Sequence, residues 1–155
     1  MLIGKYLTLE ECCKSATAIR LGIENRPNQQ QIIALDTLAK NIYDKCCEKF
    51  LIKIPITSAF RSKELNAAIS GSSASSQHMR GEAMDLDLDG TMNGVINAQL
   101  FNYIRFNLDF DQLIWEFGTD SNPDWVHVSY DVAGKNRRNV FKGFRANGKV
   151  QYKPY

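Results

Sequence analysis

The chain has 155 residues, 44% hydrophobic and 23% charged, with a net charge of +2 at pH 7. That size gives one domain burying roughly 70% of the surface its unfolded chain exposes, and the composition is that of an ordinary soluble globular protein. So small a net charge gives no ground for a nucleic-acid partner, and no stretch approaches the ~18 apolar residues of a membrane span.

The charge is unevenly placed. Residues 132–155 hold Lys135, Arg137, Arg138, Lys142, Arg145, Lys149 and Lys153 and no acid, a local +7. The remaining 12 cations face 17 acids, so the rest of the chain is net −5. Such an end reads first as a solvated basic surface, and alternatively as a dock for an anionic polymer. The cysteines form two adjacent pairs, Cys12-Cys13 and Cys46-Cys47. That spacing does not suit a zinc knuckle, and both pairs fall in predicted helices, where buried small hydrophobes are expected. Reduced thiols fit synthesis in the cytosol. The N-terminus, Met1-Leu2-Ile3-Gly4-Lys5-Tyr6, lacks the basic region and long apolar run of a signal peptide.

In chain order, Thr8-Leu9-Glu10-Glu11 is a capping box that opens a short helix to about Ala18. Asn28 and Gln31 cap a long helix to about Lys49, with Ile32, Leu35, Leu38, Ala39, Ile42 and Cys46 at helical spacing. Residues 52–60 read as a strand that Pro55 confines to an edge or bulge, delivering Arg61 at its end. Ser62 caps a helix over 63–69, and residues 71–77 form a small-residue loop. Residues 83–88 alternate as a half-buried strand, with Met84, Leu86 and Leu88 inward and Asp85, Asp87 and Asp89 outward. Met92 to Phe106 reads as a second long helix with Val95, Ile96, Leu100, Tyr103 and Ile104 inward. Strands follow over 112–117 and 125–130, and Asn147-Gly148 is a hairpin signal. Helices and strands are segregated, which favours an α+β domain with a mostly antiparallel sheet packed by helices.

The only two histidines, His78 and His127, lie in the two stretches most suggestive of chemistry. His78 precedes Asp85 by seven residues across the turn at Gly81, whose freedom at positive φ permits a close reversal. His127 sits in Asp124-Trp125-Val126-His127-Val128-Ser129. Two imidazoles and a carboxylate form the ligand set of a catalytic zinc site, which keeps a fourth position for water.

These residues resemble the zinc D-alanyl-D-alanine carboxypeptidases and related peptidoglycan peptidases (M15 type), which share a fold with the hedgehog signalling domain. The pattern Ser-x-His-x-x-Gly-x-Ala-x-Asp is met by Ser76, His78, Gly81, Ala83 and Asp85, and an acid three residues before a Trp-flanked histidine by Asp124 and His127. Arg61 meets an arginine after a Ser-x-aromatic strand end, and the likeness runs from Leu7 to about Arg138. It implies zinc on His78, Asp85 and His127, Asp124 as general base, Arg61 on a substrate carboxylate or oxyanion, and Ser76 on substrate backbone. Ser129 and Asp87 are expected to orient the imidazoles from behind. Residues three apart on a regular strand face opposite ways, so Asp124 requires a bend after Pro123, and Glu116 stands as the other base.

The implied partner is a peptidoglycan peptide met by a monomer, and the bond remains open among D-Ala-D-Ala, a D,D cross-link and L-Ala-D-Glu. A wall substrate without a signal peptide fits a phage lysin, a virion-borne enzyme or a prophage product brought to the wall by another factor. Two alternatives remain: a zinc-holding binding module of the same fold that has lost catalysis, and a structural virion or wall-anchoring protein that uses the basic end.

Overall fold

Two side-chain caps open the helical half of the molecule. Thr8 Oγ1 accepts from the Glu11 amide at 3.2 Å while Glu11 Oε2 accepts from the Thr8 amide at 2.8 Å. This reciprocal box starts α1 (Leu9–Cys13). A serine cap then starts a separate helix, α2 (Ala16–Leu21), which ends on the left-handed Gly22. The Asn28–Gln31 box starts α3 (Gln29–Leu38), which runs through a π turn (Ala39–Tyr43) into α4 (Asp44–Phe50). Leu35, Leu38, Ile42, Tyr43 and Cys46 are fully buried along this rod, as its periodicity requires. Cys12, Cys46 and Cys47 are buried and all four thiols are free. Burial pushes the Cys12 thiol up to about 12, which keeps it protonated and unreactive.

The computed structural model describes residues 1–91 and 94–155. A two-stranded ladder, β1 (Leu2–Ile3) with β2 (Leu7–Thr8), precedes the helices. The main sheet contains β3 (Ile56–Ser58), β4 (Ala83–Leu86), β5 (Gln112–Glu116), β6 (Trp125–Ser129), β7 (Asn139–Ala146) and β8 (Lys149–Pro154). Its order is β3-β4-β6-β5-β7-β8. β5 and β7 run parallel and the other neighbours antiparallel. The architecture is therefore an α+β domain with a mixed, mainly antiparallel sheet. The strand after Pro55 is the sheet's edge, shorter than the sequence suggests. Asn147 and Gly148 (φ 52° and 73°) form the two-residue turn between β7 and β8, both at the positive φ such a hairpin turn demands.

One face of the sheet packs on the helices through Met84 and Leu86, Val126 and Val128, Leu113 and Trp115. Opposite them stands α6 (Asn97–Asn107), which contributes Leu100, Phe101 and Ile104. This helix begins later than periodicity suggests. Ile96 is extended and 42% exposed, and the amides of Asn97 and Ala98 donate to Asp89 Oδ1 and Asn122 Oδ1. Those loop acceptors satisfy first-turn donors that a longer helix would have bonded internally. Met92, the expected start, lies outside the described residues.

Between α5 (Lys63–Ala68) and β4, a 3₁₀ turn (Gln77–Arg80) carries His78 and ends on Gly81. Gly81 has φ +74°, and a Cβ there would lie 2.5 Å from the Gln31 carbonyl oxygen. Gly81→Ala is therefore expected to cost ~2 kcal/mol or more through strain and crowding against backbone, read as a lower denaturant midpoint at unchanged m-value.

Candidate metal centre and cleft

The sheet's second face is the floor of a cleft of about 780 Å³. Strand register decides what meets there. Asp85 is directly opposite His127, and His127 directly opposite Ile114. One step along the same face, Trp125 is opposite Glu116 and Glu116 opposite Gly143. Glu116 is thus a diagonal neighbour of His127, the spacing at which long side chains on one face of a sheet still interact. His78 reaches the same spot from the 3₁₀ turn, its ring centroid 5.1 Å from that of His127.

Around this point, His78 Nε2 lies 3.4 Å from Asp85 Oδ1, and His127 Nδ1 lies 2.8 Å from the same oxygen. One ligand atom from each residue falls within 4.8 Å of the others, forming a group able to hold a metal ion. The donors fit zinc: bonds of about 2.0–2.2 Å in a tetrahedron set ligand atoms roughly 3.3 Å apart. The backbone behind His78 fits it too. Its Nδ1 donates to the Ala59 carbonyl at 2.6 Å, which fixes the tautomer and leaves the Nε2 lone pair facing Asp85. Arg61 donates through Nη2 to Asp85 Oδ2 and through Nε to Ser58 Oγ, both at 2.8 Å. The Arg61 amide also bonds the His78 carbonyl at 3.2 Å, tying the edge strand to the turn.

Electrostatics separates two carboxyls. Burial alone would raise Asp85, but His78 and His127, by charge and hydrogen bond, hold it well below the usual carboxylate range. Burial lowers His78, which favours the neutral imidazole that metals bind. Glu116 goes the other way. It is 5% exposed, and burial, aided by the negative Asp85, pushes it up to about 7. Its Oε2 has no hydrogen-bond partner among the described residues, and the Tyr152 hydroxyl donates to Oε1 at 3.4 Å.

A carboxyl whose folded value lies above its unfolded value near 4.5 contributes stability below the unfolded value and loses it as pH climbs through the folded one. Metal-free wild type is therefore expected to lose on the order of 3 kcal/mol relative to Glu116→Gln between pH 4 and 8. Denaturant melts of both proteins across that range, taken as a difference, check this and cancel the opposing contribution of His78.

Not every residue picked from the sequence reaches the floor. Asp124 is exposed and outside the cleft lining. As its place after Pro123 requires, Asp124 lies in a bend directly before β6, where its amide donates to the Glu116 carbonyl. Asp87 bonds the Asn97 amide group and the Asp89 amide through Oδ1, ordering the loop before α6. Ser129 is fully buried and accepts from the Gln112 amide, a bond within the sheet. The group behind His78 is instead the Ala59 carbonyl, a backbone atom with no signature in sequence. Ser76 and Trp125 line the cleft, whereas Trp115 is core. Asp85 is 7% exposed because β4 is an interior strand with the 3₁₀ turn over its outer face.

Fold and site together define an α+β protein with three donors able to hold a metal ion on the floor of a cleft, beside a buried carboxyl of raised pKa. Comparison with protein families places residues 5–129 in the family described as Peptidase M15. The match spans most of the chain, which belongs to that family and carries a peptidase fold for a peptide substrate. No curated protein matches the sequence.

Proposed function

We propose that the protein is a zinc-dependent peptidase acting on peptidoglycan stem peptides. The observation that carries this reading is the meeting of His78, Asp85 and His127 on the sheet face that also carries Glu116, a buried carboxyl with one oxygen unbonded among the described residues. Family membership supports a hydrolytic use of that arrangement.

In this reading His78, Asp85 and His127 hold zinc, which supplies Lewis acidity to the scissile carbonyl and the attacking water. Glu116, which lines the cleft, takes the water's proton and delivers it to the leaving amine. In the metal-free protein burial raises its carboxyl to about 7. Gly143 makes room for it, since a Cβ there would lie 2.6 Å from Glu116 Oε2. Arg61 orients Asp85 and turns its remaining guanidinium donors toward the developing oxyanion, and Ser76 meets substrate backbone at the rim. Asp124, exposed in the bend before β6 and outside the cleft lining, is the other candidate for the proton transfer.

The test is a digest of purified peptidoglycan by zinc-loaded protein beside a chelator-stripped control, with fragments read by mass spectrometry. Loss of a terminal alanine identifies a carboxypeptidase. New amino termini at D-Ala-linked or D-Glu-linked bonds identify an endopeptidase and name the bond. Intact, zinc-loaded protein that releases nothing contradicts the reading and favours a binding module.

A further inference from the structure

Four arginines border the cleft: Arg61, Arg80, Arg137 and Arg145. Three are committed. Arg61 pairs with Asp85 at 2.8 Å, Arg80 with Glu82 at 2.7 Å and Arg137 with the buried Asp111 at 2.7 Å. Arg145 forms no salt bridge among the described residues. Its guanidinium carbon lies 4.8 Å from the centroid of the Phe117 ring, which in turn packs against Trp125 at 5.3 Å. Phe117 follows Glu116 directly and has φ 53°, a backbone region that bulky side chains rarely adopt. The chain thus sustains an unfavourable conformation next to the buried carboxyl, and the ring so placed is the platform for Arg145.

The position of Arg145 gives this pairing a direction. It lies on β7, beyond the residues 5–129 that match the family. The β7–β8 hairpin joins the sheet beside Glu116 and adds one wall to the cleft. Val150, paired with Arg145 across the hairpin, approaches Gly71 of the serine-rich loop: a Cβ at Gly71 would lie 3.7 Å from it. A guanidinium laid on an aromatic face keeps its in-plane donors free for a carboxylate. Arg61 is held against the floor by Asp85, so the cleft's uncommitted cation is the one at this wall.

We propose that Arg145 is a specificity-determining residue that reads a free carboxylate on the peptide substrate. The cleft would then select acidic peptides through a wall contributed by the C-terminal hairpin. This rests on the peptidase reading above.

The test compares kcat/KM of the zinc-loaded protein on three synthetic stem peptides: one with all carboxylates free, one with its internal carboxylates as carboxamides, and one with a C-terminal carboxamide. Wild type is expected to disfavour one amidated peptide by about 10- to 100-fold, the range for a charge-assisted pair. Arg145→Ala should abolish that discrimination with zinc content unchanged, Arg145→Lys should keep part of it, and Arg145→Glu should invert it. The peptide that suffers tells whether the carboxylate is internal or terminal. Wild type indifferent to both amidations, or Arg145→Ala with discrimination intact, overturns the proposal while leaving the peptidase reading in place. Wild type that cleaves none of the three overturns that reading and the proposal with it.

Discussion

Glu116→Gln is expected to keep its zinc and lose turnover by on the order of 10²–10⁴-fold, the range for removal of a general base. The substitution preserves shape and removes only the ability to accept a proton. Oε2 has no bond among the described residues, so little structure depends on the carboxyl. Asp124→Ala, by contrast, is expected to turn over within about twofold of wild type, as surface substitutions away from a site generally have small effects. Its carboxylate is exposed and outside the cleft lining. Steady-state rates of the two variants on the same peptide, with zinc content measured in each, separate the assignments. A large loss in Asp124→Ala with a near-normal Glu116→Gln would return the base to Asp124.

The second large effect belongs to the ligands. Alanine at His78, Asp85 or His127 is expected to abolish stoichiometric zinc retention after dialysis, because two side chains remain where catalytic sites use three. Asp85→Ala should do more. Its oxygens receive both His127 and Arg61, at 2.8 Å each, and Arg61 is only 15% exposed in its side chain. Removing one partner of a buried pair leaves a desolvated charge and costs about 3–5 kcal/mol. Asp85→Ala should therefore melt well below His78→Ala and His127→Ala even without metal, while Asp85→Asn, which keeps a hydrogen-bond acceptor, falls between them. Zinc content by elemental analysis and paired thermal melts check both parts. Full zinc retention by any of the three alanine variants would remove that residue from the ligand set.

How far these features were legible in sequence depends on how local their causes are. The caps at Thr8 and Asn28, the hairpin turn at Asn147-Gly148 and the alternation around Asp85 and His127 each act within a few residues, and each appears in the structure where the sequence puts it. The late start of α6 was illegible because Asp89, in the loop leading to it, and Asn122, 24 residues from Ala98, take its first-turn donors. The base turned on alternation as well. Counting by twos from His127 reaches Trp125 and passes over Asp124, and counting back from Glu116 reaches Ile114, opposite His127. The pattern puts Glu116 on the face of His127, whereas Asp124 lies in a bend before β6, where strand alternation does not apply. What sequence could not supply was the neighbour: nothing local says that β5 lies beside β6, or that β7 lies beyond it to place Gly143 under Glu116. Asp87 and Ser129 were misread for the same reason, since their partners belong to a loop and a backbone amide across the fold.

The most direct test of the central claim is X-ray absorption at the zinc edge on protein loaded with one equivalent of zinc. The account predicts a first shell of nitrogen and oxygen only, at about 2.0–2.2 Å, with imidazole scattering from two histidines. A sulfur shell near ~2.3 Å, from any of the four cysteines, or a shell with no imidazole, would contradict it.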